Sequence, residues 1–446
     1  MSSDLQDFGD DVARMLSQDA YSVFLDATGV KRADGARLPS NFPSEDRFNR
    51  VQPLPLWESE TWVAATVFDG HSGWQAADHL EKELLKVVKR KLNKLQLEPR
   101  DEEIHNEQQD NKKTQEDLQK EKRDKESRDD EKIQEAIKQS FTELDGSIIN
   151  DFIACAHNEK MAFKDKVTYA QIANSGSCAL LILYDPVTKT LYTACTGDSR
   201  AVLGQQESDG NWLPQALSED QSLDNEAEVA RIRAAHKEEP DVVKDGAVLG
   251  LRVARAFGNF RWKASHDAQH KLGRIFTTSK GMEEKEIPSP PYLIAEPVVT
   301  VRKLGDKPSI VILATDGFWD SVDNGEGVDL VVMWLEAQLE SSMEEMKMKL
   351  RMAPPTSWWR SKTLGQIEYA PGFDFSSRFH EIMECRFDMR YNYTRTILKD
   401  LDNVAVHLLR NACGGNHREF LEGSLAYQAP FSRNIRDDMT VQVLLF

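Results

Sequence analysis

Cysteine is scarce in this chain, positive charge is in deficit, and no apolar run is long. The five cysteines (Cys155, Cys178, Cys195, Cys385 and Cys413) form no CxxC pair and no regular framework. That argues against a disulfide scaffold or a zinc module and predicts buried, reduced thiols. No stretch approaches the ~20 successive apolar residues that cross a bilayer, so no transmembrane segment is expected. Lysine and arginine number 56 against 74 aspartates and glutamates, a formal charge of −18. Such a balance argues against a general nucleic-acid binder, whose footprint is a basic surface. It suits a protein that binds cations locally instead. The opening "MSSDLQDFGDDVARML" is acidic, a poor signal peptide and a poor mitochondrial presequence as written, which leaves either a leader outside the given sequence or a cytoplasmic protein as the expectation.

What is present is enough apolar content, 40% of 446 residues, for a substantial core. "SGWQAADHLEKELLKVVKRKLNKL" sets Ala77, Leu80, Leu84, Val88, Leu92 and Leu95 at helical spacing. The run from 98 to 132 is almost wholly charged and polar, so it is read as a solvated loop, an exposed fraying helix or a disordered insertion. Helical spacing returns at Ile133, Ile137, Phe141, Leu144 and Ile148. From residue 175 the texture changes. "SCALLILYD" and "TLYTACTGDSRAVLG" flank the turn "PVTK" as a hairpin would, and "NEAEVARIRAAH" reads as a short helix capped by Asn225. "PYLIAEPVVTVRKL", "SIVILATDGFWD" and "MTVQVLLF" read as strands, "GVDLVVMWLEAQL" and "DNVAVHLLRNA" as helices. Residues 340–400 read as a loop-rich insertion. Strand clusters and helix pairs that alternate in blocks predict a layered α+β fold, with residues 1–446 forming one domain.

Three apolar runs end on acid-bearing turns: "ATVFDGH" (Asp69), "TACTGDSR" (Asp198) and "VILATDGFWD" (Asp316). A fourth acidic turn, "IRDDMTVQVLLF" (Asp437, Asp438), opens the last strand. If these strands lie side by side, the carboxylates gather at one sheet edge. Carboxylates clustered without cysteine or histidine suit hard cations, Mg²⁺ or Mn²⁺.

In order and separation, "VFDGHSG", "TGDSRAVLG", "LATDGFWD" and "RDDMTV" resemble the motifs of the type 2C metal-dependent protein serine/threonine phosphatases. "LPSNFPSEDRF", "SEDQSLDNEAEVARIRAAHKEEP", "VLGLRVARAFGNFRWK" and "NVAVHLLRNACGGN" narrow the resemblance to the pyruvate dehydrogenase phosphatase branch. The resemblance implies a four-layer α-β-β-α sandwich of two antiparallel sheets flanked by helices, with a dinuclear metal site at one edge. It implies a phosphoprotein substrate, the pyruvate dehydrogenase complex for this branch, and a mitochondrial location at odds with the acidic start.

By the same resemblance Asp69 bridges two ions, and the Gly70 carbonyl, Asp316 and Asp437 complete their ligands. Asp46 binds directly or through water, with Glu45 beside it; Asp198 and Asp320 resemble acids near a third, weaker ion. The two ions orient a water for in-line attack on phosphorus, so no protein nucleophile is required. His71 is the candidate general acid toward the leaving oxygen; the alternative is a histidine that caps the next helix. Ser199 and Arg200 read as structural. Position 41, where the wider family has a phosphate-binding arginine, holds Asn41, as in the pyruvate dehydrogenase phosphatase branch. Substrate phosphate thereby loses a bidentate clamp. Ser72 replaces glycine or alanine, a small change. Asn259 stands where the family has aspartate. It is the point that favours an alternative reading, a catalytically impaired scaffold of the same fold. A nuclease or other two-metal hydrolase fits the charge balance and the motif order less well.

Overall fold

The computed structural model describes residues 12–57, 60–95, 115–276, 288–350, 402–415 and 418–446. Eleven strands build two antiparallel sheets. β1 (Tyr21–Leu25), β2 (Val30–Leu38), β7 (Arg200–Gln206), β8 (Trp212–Ala216), β10 (Ser309–Ala314) and β11 (Met439–Leu445) form the six-stranded one, in the order β1-β2-β11-β10-β7-β8. β3 (Arg47–Leu56), β4 (Glu60–Phe68), β5 (Ala179–Asp185), β6 (Thr190–Thr196) and β9 (Val298–Lys303) form the five-stranded one, in the order β9-β6-β5-β4-β3.

Side-chain alternation explains the layering, because successive strand residues face opposite sides. On β4, Val63, Ala65 and Val67 enter an apolar cluster between the sheets, whereas Trp62, Ala64 and Phe68 face outward into a second cluster. β5 repeats the pattern, with Leu180 and Ile182 inward and Ala179, Leu181 and Leu183 outward. On β10, Val311 and Leu313 face inward while Ile310 and Ile312 join a third cluster on the far side. Strands buried on both faces read as continuous apolar runs, which is how "SCALLILYD" and "SIVILA" look in the sequence.

Helices close both outer faces. α1 (Gln75–Leu92), α2 (Gln115–His157) and α3 (Phe163–Asn174) cover the five-stranded sheet through Leu80, Leu84, Val88, Ile137, Phe141 and Phe152. α4 (Glu226–Ala235) is capped by Asn225, whose side chain accepts from the Ala227 N–H. α5 (His266–Phe276) packs Leu272 on the cluster beneath α2. α6 (Asn324–Leu350) and α7 (Val404–Ala412) cover the six-stranded sheet through Val328, Val331, Trp334, Val404 and Leu408. The four-layer α-β-β-α sandwich is therefore the observed architecture. Cys155, Cys178, Cys195 and Cys413 are buried free thiols, and Cys385 lies outside the described residues.

Three readings change in detail. The charged run is helical from Gln115 onward and continues without a break into the amphipathic half of α2. Its Glu, Lys, Gln and Arg are good helix formers, and the core-packed half supplies the costly nucleus. Asp130, near its end, accepts from the Tyr192 hydroxyl of β6 at 2.5 Å; residues 98–114 lie outside the described residues. The segment expected to be loop-rich from residue 340 begins as the last turns of α6, which runs to Leu350, and 351–400 lie outside the described residues. "PYLIAE" is not a strand, and β9 begins only at Val298. Among the described residues no helix is long and apolar enough to cross a membrane.

Candidate metal centre

Strand direction gathers the acids. β4 and β6 both run antiparallel to β5, so they point the same way and end at the same edge of the five-stranded sheet. Asp69 follows the end of β4, and Asp198 follows the end of β6 by two residues. In the other sheet β10 is antiparallel to both β7 and β11, so its end lies beside their beginnings. Asp316 follows β10, and Asp437 and Asp438 precede β11.

Asp69, Asp198 and Asp316 each bring one carboxylate oxygen within 4.8 Å of the others. Withdrawal from water, reinforced by Asp316, pushes the Asp69 carboxyl well above the usual range and the Asp198 carboxyl up to about 7. Oδ2 of Asp69 is buried without a hydrogen-bond partner. A buried carboxylate oxygen that no donor satisfies, facing two further carboxylates, has the chemistry of a hard-cation site, and these residues fit a divalent ion. Asp46, 1% exposed, stands behind them. Its Oδ2 accepts from Thr315 Oγ1 at 2.9 Å and Thr440 Oγ1 at 2.7 Å. Burial and the nearby Asp438 push its carboxyl up to about 8.

The loop before β3 is pinned by Asp438. Its carboxylate accepts from the backbone N–H groups of Ser40, Asn41 (2.9 Å) and Glu45 (2.7 Å), and from Asn41 Nδ2 (3.1 Å). Glu45 Oε1 accepts from the Gly73 N–H at 2.5 Å, and its Oε2 from Asn41 Nδ2 at 3.2 Å. Burial raises the Glu45 carboxyl above its ordinary value. The loop runs so close to Gly70 that a Cβ there would stand 2.3 Å from the Glu45 carbonyl oxygen. Only glycine fits. A cleft of about 400 Å³ opens beside this loop, lined by Asn41, Phe42, Pro43, Trp74 and Pro430 among others. Asp437 forms an ion pair with Arg433 and accepts from the Asp438 N–H at 2.7 Å. Asp437 also backs onto Gly317, where an added Cβ would lie 2.9 Å from the Asp437 Cβ.

His71 sits in a three-stranded ladder of two-residue strands, Gly70–His71, Gly176–Ser177 and Phe257–Gly258. Gly176 pairs with both His71 and Gly258, which brings the next residue, Asn259, to His71. His71 Nε2 lies 3.0 Å from Asn259 Oδ1. A Cβ on Gly176 would stand 2.1 Å from that nitrogen, so the missing side chain leaves room for the bond. Asn259 holds φ at +52°, a left-handed conformation that asparagine tolerates better than most residues. Ser72 has φ +58°. It therefore occupies a position that favours glycine, and the change there is not conformationally neutral. Burial lowers the His71 ring's pKa, so the imidazole rests neutral at pH 7. Behind it, Asp145 of α2 accepts from the Gly258 N–H at 2.8 Å and from Lys263 Nζ at 2.6 and 2.7 Å.

The sequence-derived residues thus fall into groups. Asp69, Asp198 and Asp316 converge; Asp46, Glu45, Gly70 and Asp437 surround them. Asp320 sits one helical turn on from Asp316, its N–H donating to the Asp316 carbonyl at 2.8 Å. Asn41 is tied to Glu45 and Asp438. Arg200 pairs with Asp220 through two nitrogens and reaches Asn324 at 3.0 Å. Sequence reasoning missed Arg433, Thr315, Thr440, Gly176 and Asp145, whose roles depend on contacts across long stretches of chain.

A family model described as protein phosphatase 2C matches residues 122–353. The chain is 30% identical over 439 residues to mitochondrial pyruvate dehydrogenase (acetyl-transferring) phosphatase 1 of Saccharomyces cerevisiae, covering 94% of this chain and 69% of that one. A protein phosphatase 2C homolog of Schizosaccharomyces pombe is 29% identical over 440 residues, covering 98% and 85%. Human mitochondrial pyruvate dehydrogenase phosphatase 1 is 31% identical over 328 residues, covering 70% and 55%. Among solved structures, serine-threonine phosphatase 2C from Toxoplasma gondii is similar with a TM-score of 0.47 at 15% identity, covering 93% of this chain and 95% of that one.

Proposed function

The chain belongs to the protein phosphatase 2C family, and from that premise we propose that it dephosphorylates the pyruvate dehydrogenase complex in mitochondria with two Mg²⁺ or Mn²⁺ ions. It is a protein serine/threonine phosphatase. The observation that carries the metal reading is the convergence of Asp69, Asp198 and Asp316 around an unsatisfied buried oxygen. In the proposal Asp69, the Gly70 carbonyl, Asp316 and Asp437 hold the two ions. Asp46 holds an ion directly or through water, with Glu45 beside it, and Asp198 with Asp320 serves a third. When bound, the ions supply Lewis-acid stabilisation of phosphoryl oxygens and a water acidic enough to attack at neutral pH.

The chain's own residues do the positioning. Thr315, just past the end of β10, and Thr440 on β11 together fix the orientation of Asp46. Asp438 holds the 40–45 loop against β11 through three backbone N–H groups, which sets Glu45 and the mouth of the cleft. His71 gives its Nε2–H to Asn259; its neutral ring first takes a proton from water at Nδ1, and the imidazolium so formed donates that proton to the leaving serine or threonine oxygen as general acid. The substrate assignment is supported by the relatives named as pyruvate dehydrogenase phosphatases. A large assembly can add binding energy from contacts remote from the phosphate.

The test compares kcat/KM on phosphorylated pyruvate dehydrogenase complex and on a short phosphoserine peptide, each with Mn²⁺, with Mg²⁺ and with excess chelator. The intact complex should be preferred by about 10-fold or more, a difference that remote contacts readily supply. Chelator should bring both rates to background. Equal rates on the two substrates would refute the substrate assignment; chelator-resistant turnover would refute the metal reading.

A further inference from the structure

We infer that Arg433 is the cation that grips the substrate's phosphate, in place of the arginine that position 41 lacks, and that its ion pair with Asp437 is the resting form of that grip. The inference builds on the metal-dependent phosphatase reading. Asn41 carries no charge and spends its side-chain amide on Glu45 and Asp438. A phosphate dianion that approaches this edge meets carboxylates that the ions only partly offset, and a cation of the chain would hold it in register.

Of the other nearby cations, Arg436 is buried, and three are engaged. Lys263 is buried and held by both oxygens of Asp145 and by the Ala256 carbonyl. Arg37 is given to Asp19 and the Asp46 carbonyl, and Arg47 to Asp78 and the carbonyls of Ser44 and Asp46. Arg433 is placed differently. It lies on the short helical turn Phe431–Asn434, directly after Pro430, which lines the cleft, and four residues before Asp437. Its side chain is 43% exposed. Its charge reaches both the Glu45 carboxyl and the His71 ring, so it lies within electrostatic range of both sides of the site.

The chemistry of exchange follows from the partner. A guanidinium presents five donors in a planar fork that fits carboxylate and phosphate alike. Once Asp437 turns its charge to a divalent cation, its hold on Arg433 weakens, and the fork is left beside the centre to take two phosphate oxygens. Arg433 and the metal thus compete for Asp437, whereas Arg433 and phosphate cooperate.

Isothermal titration of the full chain tests this with two probes, Mn²⁺ into the metal-free protein and inorganic phosphate into the Mn²⁺-loaded protein. Arg433→Ala should weaken phosphate binding by about 10-fold or more, the scale of a lost charge-assisted pair. It should leave Mn²⁺ binding equal or tighter. Arg433→Lys, which keeps the charge but loses the fork, should fall between. Phosphate affinity unchanged in Arg433→Ala overturns the inference. So does a parallel loss of phosphate and Mn²⁺ affinity in both variants, the signature of a residue that only holds the loop together. Failure of the wild-type protein to bind Mn²⁺ at all would instead remove the metal reading beneath it.

Discussion

Consider the protein stripped of divalent ions and titrated from pH 5 to pH 8. Asp198 lies in a crowd of carboxylates, and withdrawal from water with the Asp316 charge beside it raises its carboxyl from 3.8 to about 7. Over that interval the native protein keeps a proton that the unfolded chain has released. Where the native state binds more protons, stability falls as pH rises. The contribution is therefore intact below about pH 4, declines through the window and is fully lost above about pH 7. At ~1.4 kcal/mol for each pH unit of separation, the loss is about 4 kcal/mol. For a chain of this length that corresponds to a fall of about 4–8 °C in Tm.

Asp198→Asn removes the titration and keeps the shape. In excess chelator the variant should exceed wild type by about 1–2 kcal/mol at pH 5 and by the whole margin at pH 8, measured by differential scanning fluorimetry or calorimetry. The difference between variant and wild type at each pH isolates this carboxyl from the growing repulsion of a chain with a net charge of −18. Saturating Mn²⁺ should reverse the order at pH 8, because the ion then stabilises the ionised wild-type cluster and binds the variant less well. A variant that melts below wild type at pH 8 in chelator would refute the reasoning. It would mean that the cluster is relieved by water or by rearrangement, and that charge crowding does not dominate.

Two further outcomes follow from the geometry. His71→Ala should slow hydrolysis of phosphoserine peptides by about 10²-fold or more but aryl phosphates far less, since a good leaving group needs little protonation; equal losses in steady-state kinetics would return His71 to a structural role. Gly70→Ala should destabilise the protein by about 1–3 kcal/mol and sharply weaken Mn²⁺ binding, because its Cβ must displace the Glu45 carbonyl that stands 2.3 Å away; an unchanged Tm and Mn²⁺ affinity would show that the 40–45 loop yields freely.

Much of the fold was legible because its strands are buried on both faces. "SCALLILYD" and "SIVILATDG" announce themselves as continuous apolar runs, and α1 and α7 carry the spacing of one buried face. The first part of α2 was not legible as a single helix. Residues 115–132 have no apolar stripe, and their helicity is borrowed from the core-packed stretch that begins at Ile133. "PYLIAE" misled for the opposite reason. Its apolar residues Tyr292 and Leu293 are buried, but against the small cluster around Ile232 and Val248, with no ladder to join. Apolar content reports burial, and pairing has to be established separately.

The site divides along the same line. Acids that follow strands could be found by reading along the chain, since a strand end is a local event and alternate antiparallel strands share an edge. Asp69, Asp198 and Asp316 converge for that reason, and Asp198 joins the centre more closely than its sequence context implied. What local reading could not supply were the partners. Thr440 reaches Asp46 across 394 positions, and Asp438 reaches Asn41 across 397. Asn259 is the instructive case. As an isolated departure from a family aspartate it looked like a weakness in the metal site. In the structure it is buried in the left-handed region, with its oxygen on His71 Nε2, across a glycine whose side chain would fill the gap. An aspartate there would place a negative charge beside the ring and raise its pKa, opposing the burial that holds it neutral. The asparagine keeps the hydrogen bond and withholds that charge, so the departure bears on the protonation of His71 and not on the carboxylates that converge at the centre.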